Sequence, residues 1–333
     1  MTSHNLEEKR LKEEIKKRQA KRVLIQLPEG LKPEAPRLAS IAEEAGAVII
    51  VSADPCYGAC DLALREAESL GVDLLIHYGH TAKTKQEHTP TIYIEARAKA
   101  DVKEAVEKAI PHLKNWKNIG LVTTVQHIHK LNEAKDQLLR AGKMVMVGDA
   151  GRMKYAGQVI GCDFSNAKSV SKDVEAFLFV GGGRFHGIGV ALATGKPTII
   201  ADPYEKRAFP IHGEAKTILK QRWASIYEAK EAERLAILIG LKSGQKRFRK
   251  AVELKEKLEK IGKRATLLAI TKITPEALMQ FPDVDAFINT ACPRISLDDA
   301  KNFLKPVITF NEARVVLNEI TWEELCREGW FES

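Results

Sequence analysis

The chain has 333 residues, 44% of them hydrophobic and 29% charged, with a formal net charge of +8. That supplies enough apolar material for substantial cores, no apolar stretch approaches the length of a membrane span, and the N-terminus resembles no secretory signal, so a cytoplasmic location is expected. The positive charge favours encounter with anionic surfaces, yet there is no zinc-finger spacing, RNP-like aromatic signature or Gly-rich basic tail, which argues against a dedicated nucleic-acid module.

In chain order, Met1 to Arg22 is dense in Lys and Glu, with Leu6, Leu11 and Ile15 as its strong apolar residues. It predicts a solvated amphipathic helix lying against the first domain. Then come four short apolar runs: Arg22-Val-Leu-Ile-Gln26, Ala47-Val-Ile-Ile-Val51, Val72-Asp-Leu-Leu-Ile-His77 and Pro90-Thr-Ile-Tyr-Ile94. Such runs fill parallel strands buried on both faces. The pattern returns at Asn118-Ile-Gly-Leu-Val122, Lys143-Met-Val-Met-Val147, Val174-Glu-Ala-Phe-Leu-Phe-Val180 and Pro197-Thr-Ile-Ile200. It returns again at Arg234-Leu-Ala-Ile-Leu-Ile239, Ala265-Thr-Leu-Leu-Ala-Ile270, Val284-Asp-Ala-Phe-Ile-Asn289 and Pro306-Val-Ile-Thr309. In each copy the third run begins through an acidic residue and the fourth through a proline. Helical periodicity fills stretches between runs, as in Pro33 to Ala45, Asn132 to Ala141 and Arg247 to Ile261. A repeat of roughly 100 residues is domain-sized, since a solenoid module is typically about 20 to 50 residues. The expected fold is therefore α/β: three similar domains, each a small parallel sheet flanked by helices, spanning 1–112, 113–212 and 213–333. Ligands of such sheets gather beyond the carboxyl ends of the strands, and three such ends facing one another enclose a central site.

Five cysteines in a chain of this size, without the dense spacing of a secreted scaffold, read as thiols kept for metal or redox chemistry. Three of them, Cys60, Cys162 and Cys292, each follow a strand pattern in a different copy and are flanked by small residues that permit close backbone approach. The paired spacing of zinc sites is missing, whereas three dispersed thiolates suit a 4Fe-4S cluster with one iron left open. Cys56, four residues before Cys60, is either a fourth thiolate or a neighbour in the turn. Cys326 belongs to a helical pattern and reads as ordinary packing.

The chain resembles the archaeal diphthamide-biosynthesis enzymes over nearly its whole length. The matching text is Gln26-Leu-Pro-Glu-Gly30, Tyr57-Gly-Ala-Cys-Asp61, His77-Tyr-Gly-His80, Thr123-Thr-Val-Gln-His-Ile-His129, Gly157-Gln-Val-Ile-Gly-Cys162, Phe185-His186, Asp202-Pro-Tyr204, Arg222-Trp223 and Ala291-Cys-Pro-Arg294. Cys56 departs from that pattern.

The resemblance implies a 4Fe-4S cluster held by Cys60, Cys162 and Cys292, with S-adenosylmethionine meeting the open iron. It implies one-electron cleavage between sulfur and the methionine γ-carbon, and transfer of the 3-amino-3-carboxypropyl radical to C2 of a histidine imidazole in translation elongation factor 2, with methylthioadenosine released. It also implies a homodimer fed by an external electron donor. Candidate walls for the cofactor are Pro28, Glu29 and Gly30, Thr123 and Thr124, and the turn containing Gly182 and Gly183, although a glycine triplet is as often a plain tight turn. His80, His127 and His186 stand within matching motifs and are site candidates, set against the commoner role of a hydrogen-bonded structural histidine. Arg294 is placed to pair with the methionine carboxylate or to bridge domains. Asp202, before Pro203, is equally a turn former. Two alternatives stand beside this reading: a quinolinate-synthase-like 4Fe-4S condensing enzyme, and a non-catalytic, metal-stabilised protein that docks on the translation machinery.

Overall fold

The computed structural model describes residues 3–82 and 89–331. A two-residue strand β1 (His4–Asn5) and a helix over Glu8–Arg18 precede the first sheet, which comprises β2 (Arg22–Gln26), β3 (Val48–Val51), β4 (Leu74–Tyr78) and β5 (Thr91–Ile94). Strand β6 (Arg97–Ala98) pairs back onto β1. The second sheet holds β7 (Asn118–Thr123), β8 (Met144–Met146), β9 (Ala176–Val180), β10 (Thr198–Asp202) and β11 (Arg207–Pro210). The third holds β12 (Arg234–Gly240), β13 (Arg264–Ile270), β14 (Ala286–Asn289) and β15 (Val307–Thr309).

All three sheets share one order, with the first strand between the second and third and the fourth outside: β3-β2-β4-β5, β8-β7-β9-β10 and β13-β12-β14-β15. These strands are parallel throughout. The order reverses between the first and third strands, which opens a crevice at their carboxyl ends. Strand β11 is the one strand of the three sheets that the apolar runs did not anticipate. It pairs antiparallel on the edge of β10, and its short mixed sequence ending in a proline carries no buried-strand signature.

The two repeated marks in the sequence have a structural meaning. The acidic residue before each third strand accepts backbone N–H groups where the first strand begins. Asp73 takes Lys21 and Arg22 at 2.8 Å, Glu175 takes Lys117 at 2.7 Å and Asn118 at 2.8 Å, and Asp285 takes Arg234 at 2.9 Å. The proline before each fourth strand has no N–H to give, but its carbonyl starts the ladder by accepting from Leu75, Phe177 or Phe287 at 2.8–2.9 Å.

The amphipathic N-terminal helix places Leu11 and Ile15 in the core of the first unit, as its apolar spacing predicts. The second and third units share one core, in which Phe164, Phe177 and Phe179 meet Ile226, Ile237 and Trp330. The long helix His212–Glu231 lies between them. Its Arg222 is fully buried against Glu312 in a two-armed ion pair at 2.7 Å, and also donates to the carbonyls of Ser296 and Val307 at 2.7 and 3.0 Å.

Candidate active site

Each of the three cysteines hangs from a loop with its own fastening. Cys60 lies between β3 and β4. Its loop is held by Gln26 at the end of β2, which donates to the Asp61 carbonyl at 2.7 Å, and by the loop after β12. There Gly244 donates its amide to the Cys60 carbonyl at 2.9 Å, Lys242 pairs with Asp61 at 2.6 Å, and Gln245 donates to Cys60 Sγ at 3.4 Å. A Cβ on Gly244 would stand 2.5 Å from Cys60 Cα, so only glycine permits this approach. Cys162 lies between β8 and β9, where residues 157–159 run beside β7 through hydrogen bonds to both backbone groups of Thr123. Gln158 from this segment reaches Thr81 of the first unit at 3.0 Å. Cys292 follows β14 instead and caps the helix Pro293–Asp298. Asn289 fixes the turn by donating to the Cys292 carbonyl at 2.6 Å and accepting the Ala291 and Cys292 amides at 2.9 and 3.2 Å.

The three half-buried thiols converge. Together they line a cavity of about 450 Å³ and a second of about 280 Å³, with Gln245 and Ala291 also shared by both. Burial, together with the charges of Cys60 and Cys162, pushes the Cys292 thiol up to about 11, while the Arg294 and Ile295 amides pull it down. Sulfurs that sense one another in this way, with amide donors aimed at two of them, form a donor set suited to a thiolate-bound cluster. Cys56 lines neither cavity. It is buried, its thiol is pushed up to about 12 mainly by burial, and it packs with His77 and His80, one candidate ligand atom of each lying within 4.8 Å of the others. Its place is that of a neighbour in the turn. Cys326 sits on the helix Trp322–Glu328 against the shared core, away from the site.

The larger cavity gathers some of the other candidates. Thr124, His80, His186 and Arg294 line it, and Met153, Val159, Ile160, Ile270 and Ile273 give it an apolar wall. Arg294 is 5% exposed, with its guanidinium 3.5 Å over the Phe185 ring. It donates to the Phe185 carbonyl at 2.8 Å and pairs with Asp298, which leaves Nη1 without a partner among the described residues. His186 stacks on Phe179, and burial beside Arg294 pushes its pKa down to about 3.

Other candidates lie elsewhere. Pro28, Glu29 and Gly30 line neither cavity: Pro28 packs beneath Gly79, Glu29 pairs with Lys32 at 2.9 Å, and Gly30 is exposed. Thr123 is fully buried and donates to the Val180 carbonyl at 2.6 Å, a bond that ties β7 to β9. His127 is buried against Tyr204, with its pKa pushed down to about 4 by burial. Gly182 and Gly183 form a turn clamped by Asp202, which accepts the amides of Gly183, Tyr204 and Glu205 at 2.9–3.2 Å. Asp202 is thus the turn former. The sequence reading passed over Gln245 and Lys242. Their signal was available, because Leu241 to Gln245 follows the first strand of the third copy, just as Leu27 to Gly30 does in the first.

Three like α/β units bring one thiol each to a common cavity, the class of scaffold suited to a shared thiolate-bound centre. Comparison with known proteins identifies which one. The chain matches the family model of diphthamide synthesis proteins over residues 27–326. It is 38% identical to the 2-(3-amino-3-carboxypropyl)histidine synthase of Pyrococcus horikoshii, covering 94% of this chain and 91% of that one. Subunit 1 of the synthase of the same name from Schizosaccharomyces pombe is 32% identical, covering 93% of this chain and 73% of its own. The crystal structure of Dph2 from Pyrococcus horikoshii with a 4Fe-4S cluster superposes with a TM-score of 0.87 at 37% identity, covering 96% and 92%. The chain belongs to the diphthamide synthesis family. These relatives lend no support to the condensing-enzyme or non-catalytic alternatives.

Proposed function

We propose that this chain transfers the 3-amino-3-carboxypropyl group of S-adenosylmethionine to C2 of a histidine imidazole in translation elongation factor 2, the first step of diphthamide biosynthesis. The observation that carries this reading is the convergence of Cys60, Cys162 and Cys292 on one cavity, in a family whose Pyrococcus member was solved with a 4Fe-4S cluster. The three thiolates would hold that cluster, which when bound supplies the electron for cleaving the sulfonium bond. The protein's part is orientation. Nη1 of Arg294, on the cavity wall and without a partner among the described residues, suits the methionine carboxylate, and the apolar wall suits the nucleoside while limiting water around a reactive fragment. Gln245, bonded to Cys60, supplies an N–H···S contact of the kind that tunes cluster potential. Family resemblance supports a cytoplasmic homodimer served by an external one-electron donor.

The test is an anaerobic assay of cluster-loaded protein with dithionite, S-adenosylmethionine and the cognate elongation factor 2. Methylthioadenosine together with an added aminocarboxypropyl mass on the factor's histidine is the expected result. Neither product from protein carrying a full cluster would overturn the assignment.

A further inference from the structure

The hydrogen bonds around His77 and His80 determine which nitrogen of each ring carries the proton. Gln26 is oriented by two backbone partners: its amide nitrogen donates to the Asp61 carbonyl at 2.7 Å, and its Oε1 accepts the Ala63 amide at 3.1 Å. That oxygen also lies 2.8 Å from His77 Nδ1, and since an amide oxygen cannot donate, His77 carries its proton on Nδ1. His77 Nε2 is then a lone pair, so His80 Nδ1, 3.0 Å away, donates to it, with the Tyr78 carbonyl as a second acceptor at 3.2 Å. A neutral imidazole that donates from Nδ1 presents a lone pair on Nε2. No hydrogen bond from a described residue reaches His80 Nε2, and His80 lines the cavity with all three thiols.

The proposed reaction needs such a lone pair. Its net chemistry breaks the sulfonium S–Cγ bond and the imidazole C2–H bond and makes one C2–C bond. No electrons are gained or lost overall, the sulfonium charge disappears, and one proton must leave. We propose that His80 Nε2 is the catalytic acceptor of that C2 proton, with His77 and Gln26 as positioning residues that hold its tautomer; this rests on the transferase reading above.

The other groups on the cavity wall are less suited. His186 lies beside the Arg294 guanidinium, which opposes a second positive charge, whereas the nearby Asp61 carboxylate favours a cation on His80. Asp298 is tied to Arg294 at 2.7 Å, and Lys242 to Asp61 at 2.6 Å. Of the groups packed around His80, Cys56 is a protonated thiol near neutral pH and His77 has its lone pair engaged. Burial keeps His80 itself neutral, its pKa pushed down to about 4. A weak base is enough, because losing the proton from a tetrahedral C2, together with return of the one electron used to cleave the sulfonium bond, restores the aromatic ring. Protonation at Nε2 also leaves the Nδ1 bond to His77 intact and strengthens it.

Two measurements test this. The first is nitrogen NMR of histidine-labelled, full-length protein before cluster loading, near pH 7.5. A protonated Nδ1 and bare Nε2 on His80 are expected, and a proton on Nε2 overturns the proposal whatever the enzyme's activity. The second follows the ratio of modified factor to methylthioadenosine in the cluster-loaded His80→Ala variant. That ratio should fall about 100-fold, the lower range of general-base contributions, and recover with added imidazole. An unchanged ratio, or a fall that imidazole does not rescue, overturns it. Absence of methylthioadenosine from the wild type would instead sink the transferase reading, and this proposal with it.

Discussion

Gln245 donates to the sulfur of Cys60 from a loop belonging to another unit, and is itself 8% exposed. A hydrogen bond to a cluster thiolate drains electron density and raises the reduction potential. Gln245→Leu is therefore expected to lower the potential of the reconstituted cluster without changing its iron content, measured by a redox titration followed by electron paramagnetic resonance. Cys60→Ala, Cys162→Ala and Cys292→Ala should each lose most bound iron and sulfide while keeping far-UV circular dichroism, because a half-buried thiol contributes little apolar burial. Cys56→Ala should retain its iron; equal loss in that variant would place Cys56 among the ligands. The thiol triad was legible in the sequence because each member follows an apolar run. Gln245 left only a positional trace, the loop after a first strand, because a lone glutamine has no pattern of its own until the third unit is laid against the first. Pro28 to Gly30 misled for the converse reason. They do follow a strand, but the chain then turns away beneath Gly79, whose φ of +82° allows that packing.

The strand pattern was readable because parallel strands covered on both faces appear as unbroken apolar runs, as in Val23, Leu24 and Ile25, none more than 1% exposed. Edge strand β11 is exposed at Arg207 and Pro210 and only half-buried between them, and it left no such trace. Between elements, one fastening is polar. Arg222, on the helix between the second and third units, is clasped by Glu312, whose Oε1 also accepts from Trp330 Nε1 at 2.7 Å. Glu312→Ala leaves a buried guanidinium unpaired and should cost about 3 to 5 kcal/mol in urea unfolding. A change below about 1 kcal/mol would show that water replaces the carboxylate. Gly244→Ala acts on the contact between loops, since the new Cβ would force apart the chains at Cys60. Lower iron occupancy is expected, with all three sheets intact.

Across the molecule, buried histidines set the acid limit of stability. His80 and His127 have pKa values pushed down to about 4, His186 to about 3, and His77 is lowered as well, all chiefly by burial. Unfolded histidines titrate near 6.5, so below that pH the unfolded chain binds more protons than the folded one. The stability these groups contribute is fully present above about pH 6.5 and is lost as pH falls towards 4. Asp298, raised to about 6 by burial, works in the opposite sense but is a single group. Urea midpoints should therefore drop between pH 7.5 and 5, and equal midpoints would refute the burial of neutral imidazoles.

The cysteine loops do not share the symmetry of the sheets. Two thiols hang between a second and a third strand, and the last follows a third strand and opens a short helix. A sulfonium centre carries three carbon substituents in a pyramid, and a cage with true threefold symmetry would present the same surroundings to each. Here one wall is a helix start with Arg294, another the strand-like segment before Cys162, and the third a turn stitched to a neighbouring unit. The repeated fold thus makes an asymmetric socket out of near-identical parts, and three unlike walls suit a choice of one among three different carbon–sulfur bonds.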